Sequence, residues 1–135
     1  MAKILLNAKI LDLPLKKKWY EMIESGVKKE EYREIKPYWL KRLFRVIDYN
    51  FTHYEDVDSD CAEFYTNNTD LLKTDLNLGG FHIKDFTHVR FRYGYTNRTM
   101  TYKIDKISIG VGKPKWGAPK ENVIIISIGN KVTHF

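Results

Sequence analysis

Hydrophobic and polar positions alternate first at Lys9–Leu15, K-I-L-D-L-P-L, where Ile10, Leu11, Leu13 and Leu15 are apolar. This predicts a strand, with Pro14 limiting ladder pairing near its end. Leu15, Trp19, Met22 and Ile23 then recur at i, i+4, i+7 and i+8, which is one stripe of a helix. Lys16, Lys17, Lys18, Glu21 and Glu24 lie off that stripe, and Gly26 sits where a left-handed helix end calls for glycine. Val27 to Ile35 is densely charged, and Pro37 opens a short helix, P-Y-W-L-K-R-L-F. Late in the chain, His88–Tyr95 alternates Val89, Phe91, Tyr93 and Tyr95 with Arg90 and Arg92, the period of a half-buried strand. Met100–Ile109 continues the alternation. Gly110–Pro119 is a breaker-rich loop, and Val123–Ile128 is a near-continuous apolar run expected of a strand buried on both faces. Between these halves, residues 50–85 read as an insertion. It contains acidic Glu55, Asp56, Asp58, Asp60 and Glu63, a Gly79-Gly80 turn, and some helix between Leu71 and Leu76.

Several strands with one early helix predict an α+β domain spanning residues 1–135: a small, partly closed, mostly antiparallel β-barrel with helices packed at its rim. A chain of 135 residues, 43% hydrophobic, is long and apolar enough to bury a core. Lys and Arg number 23 against 17 Asp and Glu. The resulting +6 and the sequence pI of about 9.3 favour polyanionic partners. Cys61 is the one cysteine, so no internal disulfide staples the fold, which fits a reducing, cytoplasmic setting. No apolar run approaches membrane-spanning length, so no membrane is expected among the partners. Met1–Asn7 has too few apolar residues for a signal-peptide core, which makes the Asn-x-Thr triplets at Asn50, Asn67 and Asn97 chance occurrences. His53, His82, His88 and His134 give no zinc spacing with Cys61, and no phosphate-loop motif is present. Neither a metal nor a cofactor is expected.

The chemistry concentrates in Gly26-Val27-Lys28-Lys29-Glu30-Glu31-Tyr32-Arg33. In extended chain Glu31 and Arg33 project to one side, with Lys29, and Lys28 joins them only if the chain bends after Gly26. Arg33 can fork onto a phosphate or carboxylate. Glu31 can accept from a base amino group or take a proton, and Lys28 or Arg33 can stabilise developing negative charge. The alternative is a solvated charged strand. Tyr93 and Tyr95 flank Gly94 and could stack a base or pack the barrel or its rim, packing being favoured for Tyr93. Trp116, among lysines in a loop, could stack a base or plug the barrel end. Lys16, Lys17 and Lys18 oppose the dipole of the helix they start, and Lys17 is a candidate phosphate contact.

The spacing G-x-K-x-x-E-x-R, met by Gly26, Lys28, Glu31 and Arg33, resembles the signature of ASCH domains, named for homology with an activating signal cointegrator. The run from Leu15 to Trp39 is similar to bacterial and phage members, as are R-F-R-Y-G-Y (Arg90–Tyr95) and W-G-A-P (Trp116–Pro119). Residues 50–85 fall outside the resemblance. It implies a PUA-like β-barrel that binds RNA or a nucleotide in a cleft beside the helix. It also brings an alternative, a metal-independent hydrolase of a modified nucleoside or RNA, since the family includes acetylcytidine amidohydrolases and ribonucleases. Lys28 matches the amidohydrolase lysine, but Glu31 stands where those enzymes carry a nucleophilic threonine. A carboxylate there changes the mechanism, so that activity does not carry over.

Overall fold

Alternating side chains build the first sheet from the sequence outward. The computed structural model describes residues 7–133. Strand β1 (Ile10–Leu15) points Leu11, Leu13 and Leu15 into the core and Asp12 and Pro14 outward. Helix α1 (Lys17–Glu24), β2 (Glu30–Arg33), α2 (Pro37–Leu43), β3 (Phe44–Ile47), β4 (Tyr54–Asp56), α3 (Ser59–Thr66), α4 (Thr69–Asn77) and β5 (Phe81–Ile83) follow. The last third is β6 (His88–Tyr93), β7 (Thr99–Val111), a 3-10 turn (Pro114–Trp116) and β8 (Asn122–Val132). The class is α+β, with a five-stranded mixed sheet in the order β1-β6-β7-β8-β2 and a three-stranded sheet in the order β4-β3-β5. No helix among the described residues is long and apolar enough to cross a membrane.

Contacts along the backbone divide the chain into two compact units. The first comprises the chain up to Glu31, Asp85–Lys106 and the chain from Ile126; the second comprises Tyr32–Lys84 and Ile107–Ile125. Strands β7 and β8 run through both.

In the first unit β1 pairs with β6 in parallel, from Ile10 opposite His88 to Leu15 opposite Tyr93, and β6 pairs antiparallel with β7. The parallel pair makes the sheet mixed, while β6 with β7, and β3 with β4 and β5, pair antiparallel. Such a pair requires a long crossover, which the chain makes between Leu15 and His88. Val89 and Phe91 of β6 and Met100 and Tyr102 of β7 complete the buried layer. Helix α1 buries Tyr20 and Ile23, with Trp19 and Met22 only half-buried. The stripe is rotated toward Tyr20 because that ring meets Tyr93 of β6 edge-on at 5.0 Å, while the Tyr93 hydroxyl donates to Glu21 at 2.9 Å.

The helix ends as its glycine predicts. Gly26 has φ +83°; its N–H donates to the Ile23 carbonyl, and the Val27 and Lys28 N–H groups both donate to the Met22 carbonyl. This satisfies the last helical carbonyls and turns the chain back toward the helix. Open space surrounds the position where a Cβ would stand on Gly26. Gly26→Ala should therefore cost only the left-handed backbone penalty, about 1–2 kcal/mol, read as a lower urea midpoint.

In the second unit β3 pairs antiparallel with both β4 and β5. Leu40, Leu43, Phe44, Ala62, Leu72 and Phe81 fill its core, with Phe81 edge-on to Tyr65 at 4.7 Å. Residues 50–85 carry more regular structure than their polarity suggests. The helix expected over Leu71–Leu76 runs from Thr69 to Asn77, and a second helix, α3, precedes it. Part of the acidic cluster explains α3: Asp58 is its N-cap, accepting from the Cys61 N–H at 2.8 Å, and Asp60 lies in its first turn. Both positions favour negative charge.

A second carboxylate organises the loop after β3. Asp48 is buried and accepts from the Thr52 hydroxyl at 2.7 Å, the His53 N–H at 3.0 Å and the Thr52 N–H at 2.5 Å. The Thr52 hydroxyl first, then these N–H groups, lower its pKa from 3.8 to about 2. A carboxyl whose folded pKa is depressed contributes stability above its unfolded pKa and loses it as pH falls through the folded value. The stability difference between wild type and Asp48→Asn should thus be full at neutral pH and shrink between about pH 4 and about pH 2, measured by urea unfolding across that range.

Candidate functional site

The turn at Gly26 decides where the next charged side chain goes. Lys28 follows it by two residues and is driven inward, with 0% side-chain exposure. Three residues on, Glu31 faces the core side of β2 with 6% side-chain exposure. The Lys28 Nζ lies 3.4 Å from the Glu31 Oε1 and 5.0 Å from the centre of the Trp19 ring. The bend after Gly26 that this juxtaposition requires is present, and it brings together two of the three charged residues singled out by the motif.

Desolvation dominates the energetics of this pair. Moving one ion out of water costs several kcal/mol even after relaxation. A cation over an aromatic ring contributes up to about 2 kcal/mol when desolvated, and the Glu31 carboxylate offsets a further part of the cost. A buried ion pair adds little net stability over an apolar pair of the same volume, yet removing one member leaves the other's buried charge less compensated. Lys28→Met or Glu31→Gln alone should cost about 3–5 kcal/mol, read as a fall in urea-unfolding free energy.

Trp19 links this pair to the surface. Expected as core, it is half-buried, and the Lys18 ammonium lies 4.8 Å from its ring centre. Lysines 16 to 18 stand exposed at the start of α1, which has no side-chain cap and no acidic residue in its first turn. Lys17 Nζ reaches to 5.8 Å from the Tyr93 ring. Next to this helix start, the Gly94 N–H donates to the Leu15 carbonyl at 2.8 Å. Gly94, with φ +58°, and the Thr96 hydroxyl, donating to the Tyr93 carbonyl at 2.7 Å, form the β6–β7 turn. Tyr95 stands on that turn with 98% exposure. The first unit thus places Lys17 and the β6–β7 turn carrying Tyr95 at the start of α1, and the Lys28 ammonium against the half-buried Trp19.

Comparison with protein-family models, curated proteins and solved structures finds no match to this chain.

Two singled-out residues lie in the second unit. Arg33 Nη1 donates to the Tyr32 carbonyl at 3.1 Å, and its guanidinium stacks 5.7 Å from the centre of the Trp39 ring. Trp116 is buried at 8% exposure in the 3-10 turn, with the ammonium groups of Lys113 and Lys115 over its ring at 4.4 and 5.2 Å. Its loop is tied down by the Lys113 N–H, which donates to the Tyr32 hydroxyl at 3.0 Å.

A recess of about 320 Å3 opens beside the ion pair in the first unit. Lys28, Lys29, Tyr102, Asp105 and Asn130 line it, together with the backbone at Gly26 and Gly129. Glu31, Tyr95, Arg33 and Trp116 do not. Asp105 and Asn130 carried no motif; the order β7-β8-β2 and the Ile128 N–H, which donates to the Lys29 carbonyl at 3.0 Å, bring them beside Lys28. Among the described residues, no group of three or more His, Cys, Asp or Glu side chains gathers as a metal site would.

Proposed function

We propose that this chain is an ASCH domain of PUA-like barrel fold that binds RNA or a nucleotide through the surface around α1. The observation that carries the reading is the fully buried Lys28 held against Glu31 and Trp19 at the edge of a recess. An apolar pair would serve stability as well, so a retained buried cation speaks for a polar ligand. The lysine run at the helix start, unfavourable for the helix itself, suits phosphate, and the exposed ring of Tyr95 suits a stacked base. The motif Gly26, Lys28, Glu31 and Arg33 supplies the family reading.

The same cluster also supports a hydrolase reading, in which Glu31 acts as base on water and Lys28 stabilises the developing charge. A carboxylate at position 31 excludes the hydroxyl-nucleophile route.

Binding separates the first reading from a structural role. Fluorescence anisotropy of the full chain with labelled single-stranded RNA should give an affinity that falls steeply as salt rises from about 50 to about 200 mM. Lys17→Ala should lower the salt slope by about one, and Tyr95→Ala should cost about 1–3 kcal/mol of binding. Both residues are exposed, so neither change threatens the fold. Absence of binding to any RNA or nucleotide at low salt would contradict the reading. Turnover of a modified nucleoside, lost in Glu31→Gln that still folds, would favour the hydrolase.

A further inference from the structure

The second unit holds a cleft of about 840 Å3 whose chemistry is opposite to that of the basic helix start. Tyr49, Phe51, Tyr65 and Leu78 give it apolar walls, Asp48 and Asp75 supply carboxylates, and no basic residue lines it. The surrounding sequence is similarly biased. Residues 48–78 hold eight of the chain's 17 carboxylates but only one, Lys73, of its 23 Lys and Arg residues.

The rim is unusual for a surface with no partner. Tyr49 is 95% exposed, and Phe51 and Leu78 are each 80% exposed. Apolar side chains gathered at one acidic opening mark an interaction site more than scattered exposure does. Phe51 also holds its backbone at φ +58°, among non-glycine residues the sole left-handed position within the described chain. A bulky residue there carries a backbone cost that Gly or Asn would avoid. At the base, the Tyr65 hydroxyl donates to Asp75 Oδ2 at 2.6 Å, which fixes that carboxylate in the cleft. A carboxylate accepts about four hydrogen bonds, so this one can also take an ammonium or guanidinium.

We propose that this cleft docks a short basic segment of a partner protein, one in which Lys or Arg alternates with apolar side chains. Charge complementarity selects the occupant. Phosphates would be repelled by Asp48 and Asp75, so the cleft does not serve a polyanion. The volume exceeds that of a single side chain, and the apolar rim faces outward, which suits a segment of chain laid across it. The Lys or Arg would meet Asp75, and the apolar residues would sit against Phe51, Tyr49 and Leu78.

Three labelled peptides of equal length test this with the full chain: alternating Lys and Leu, alternating Glu and Leu, and alternating Lys and Ser. The Lys–Leu peptide should bind by fluorescence anisotropy, the Glu–Leu peptide should not, and the Lys–Ser peptide should bind at least about tenfold more weakly. Phe51→Asn should lose at least about tenfold in affinity while its thermal midpoint holds or rises, because Asn tolerates the left-handed conformation. Asp75→Asn should weaken binding and flatten its salt dependence. RNA affinity should be unchanged in Phe51→Asn, which separates this site from the surface around α1. Equal binding of the three peptides, or unchanged Lys–Leu binding in Phe51→Asn, would overturn the proposal. So would self-association of the chain that Phe51→Asn abolishes while the Lys–Leu peptide stays unbound, since the cleft would then hold a second copy.

Discussion

Burying the Lys28 ammonium strips it of hydration at a cost of several kcal/mol, and the first unit is arranged around that cost. Gly26 supplies the left-handed turn that points the chain inward, the Met22 carbonyl accepts the Lys28 N–H, Glu31 supplies the countercharge, and Trp19 supplies a π-face. Each element depends on another. Without the turn, Lys28 would remain on the solvated surface; without Glu31, its buried charge would lose its countercharge at 3.4 Å. Helix α1 is therefore fixed at its finish by the glycine turn, while the lysines at its start oppose its dipole.

Much of this was legible in the sequence because local rules suffice for it. Alternation placed β1, β6 and β7, a near-continuous apolar run placed β8, and helical spacing with a terminal glycine placed α1. The motif spacing, once bent at Gly26, brought Lys28 to Glu31. What local rules missed depends on partners distant in sequence. Tyr20 displaces Trp19 from the core because Tyr93 lies across from it, 73 residues later. Asp105 and Asn130 reach the recess through the pairing of late strands. Residues 50–85 hid a helix because its apolar positions are few, and because its acidic residues cap it in place of signalling disorder.

Arg33 and Trp116 illustrate the limit of reading a site from a linear motif. Arg33, expected on the Glu31 side of an ideal strand, also meets the Trp39 ring and donates to the Tyr32 carbonyl, neighbours the motif does not announce. Trp116, which the sequence leaves between stacking a base and plugging the barrel end, is buried, with Lys113 and Lys115 from the preceding turn over its ring. The charge distribution is the broader lesson. A net +6 conceals an acidic segment between residues 48 and 78, which holds eight carboxylates and one lysine.

The central claim is that the buried Lys28–Glu31 pair serves a ligand more than it serves the fold. The double variant Lys28→Met/Glu31→Leu tests it directly, because it removes both charges of the pair together. The account predicts a folded protein with a urea-unfolding free energy equal to or above that of the wild type, and an RNA affinity lower by at least about tenfold, or about 1.4 kcal/mol. A stable double variant that binds RNA as tightly as the wild type would show that the pair is structural and contradict the account.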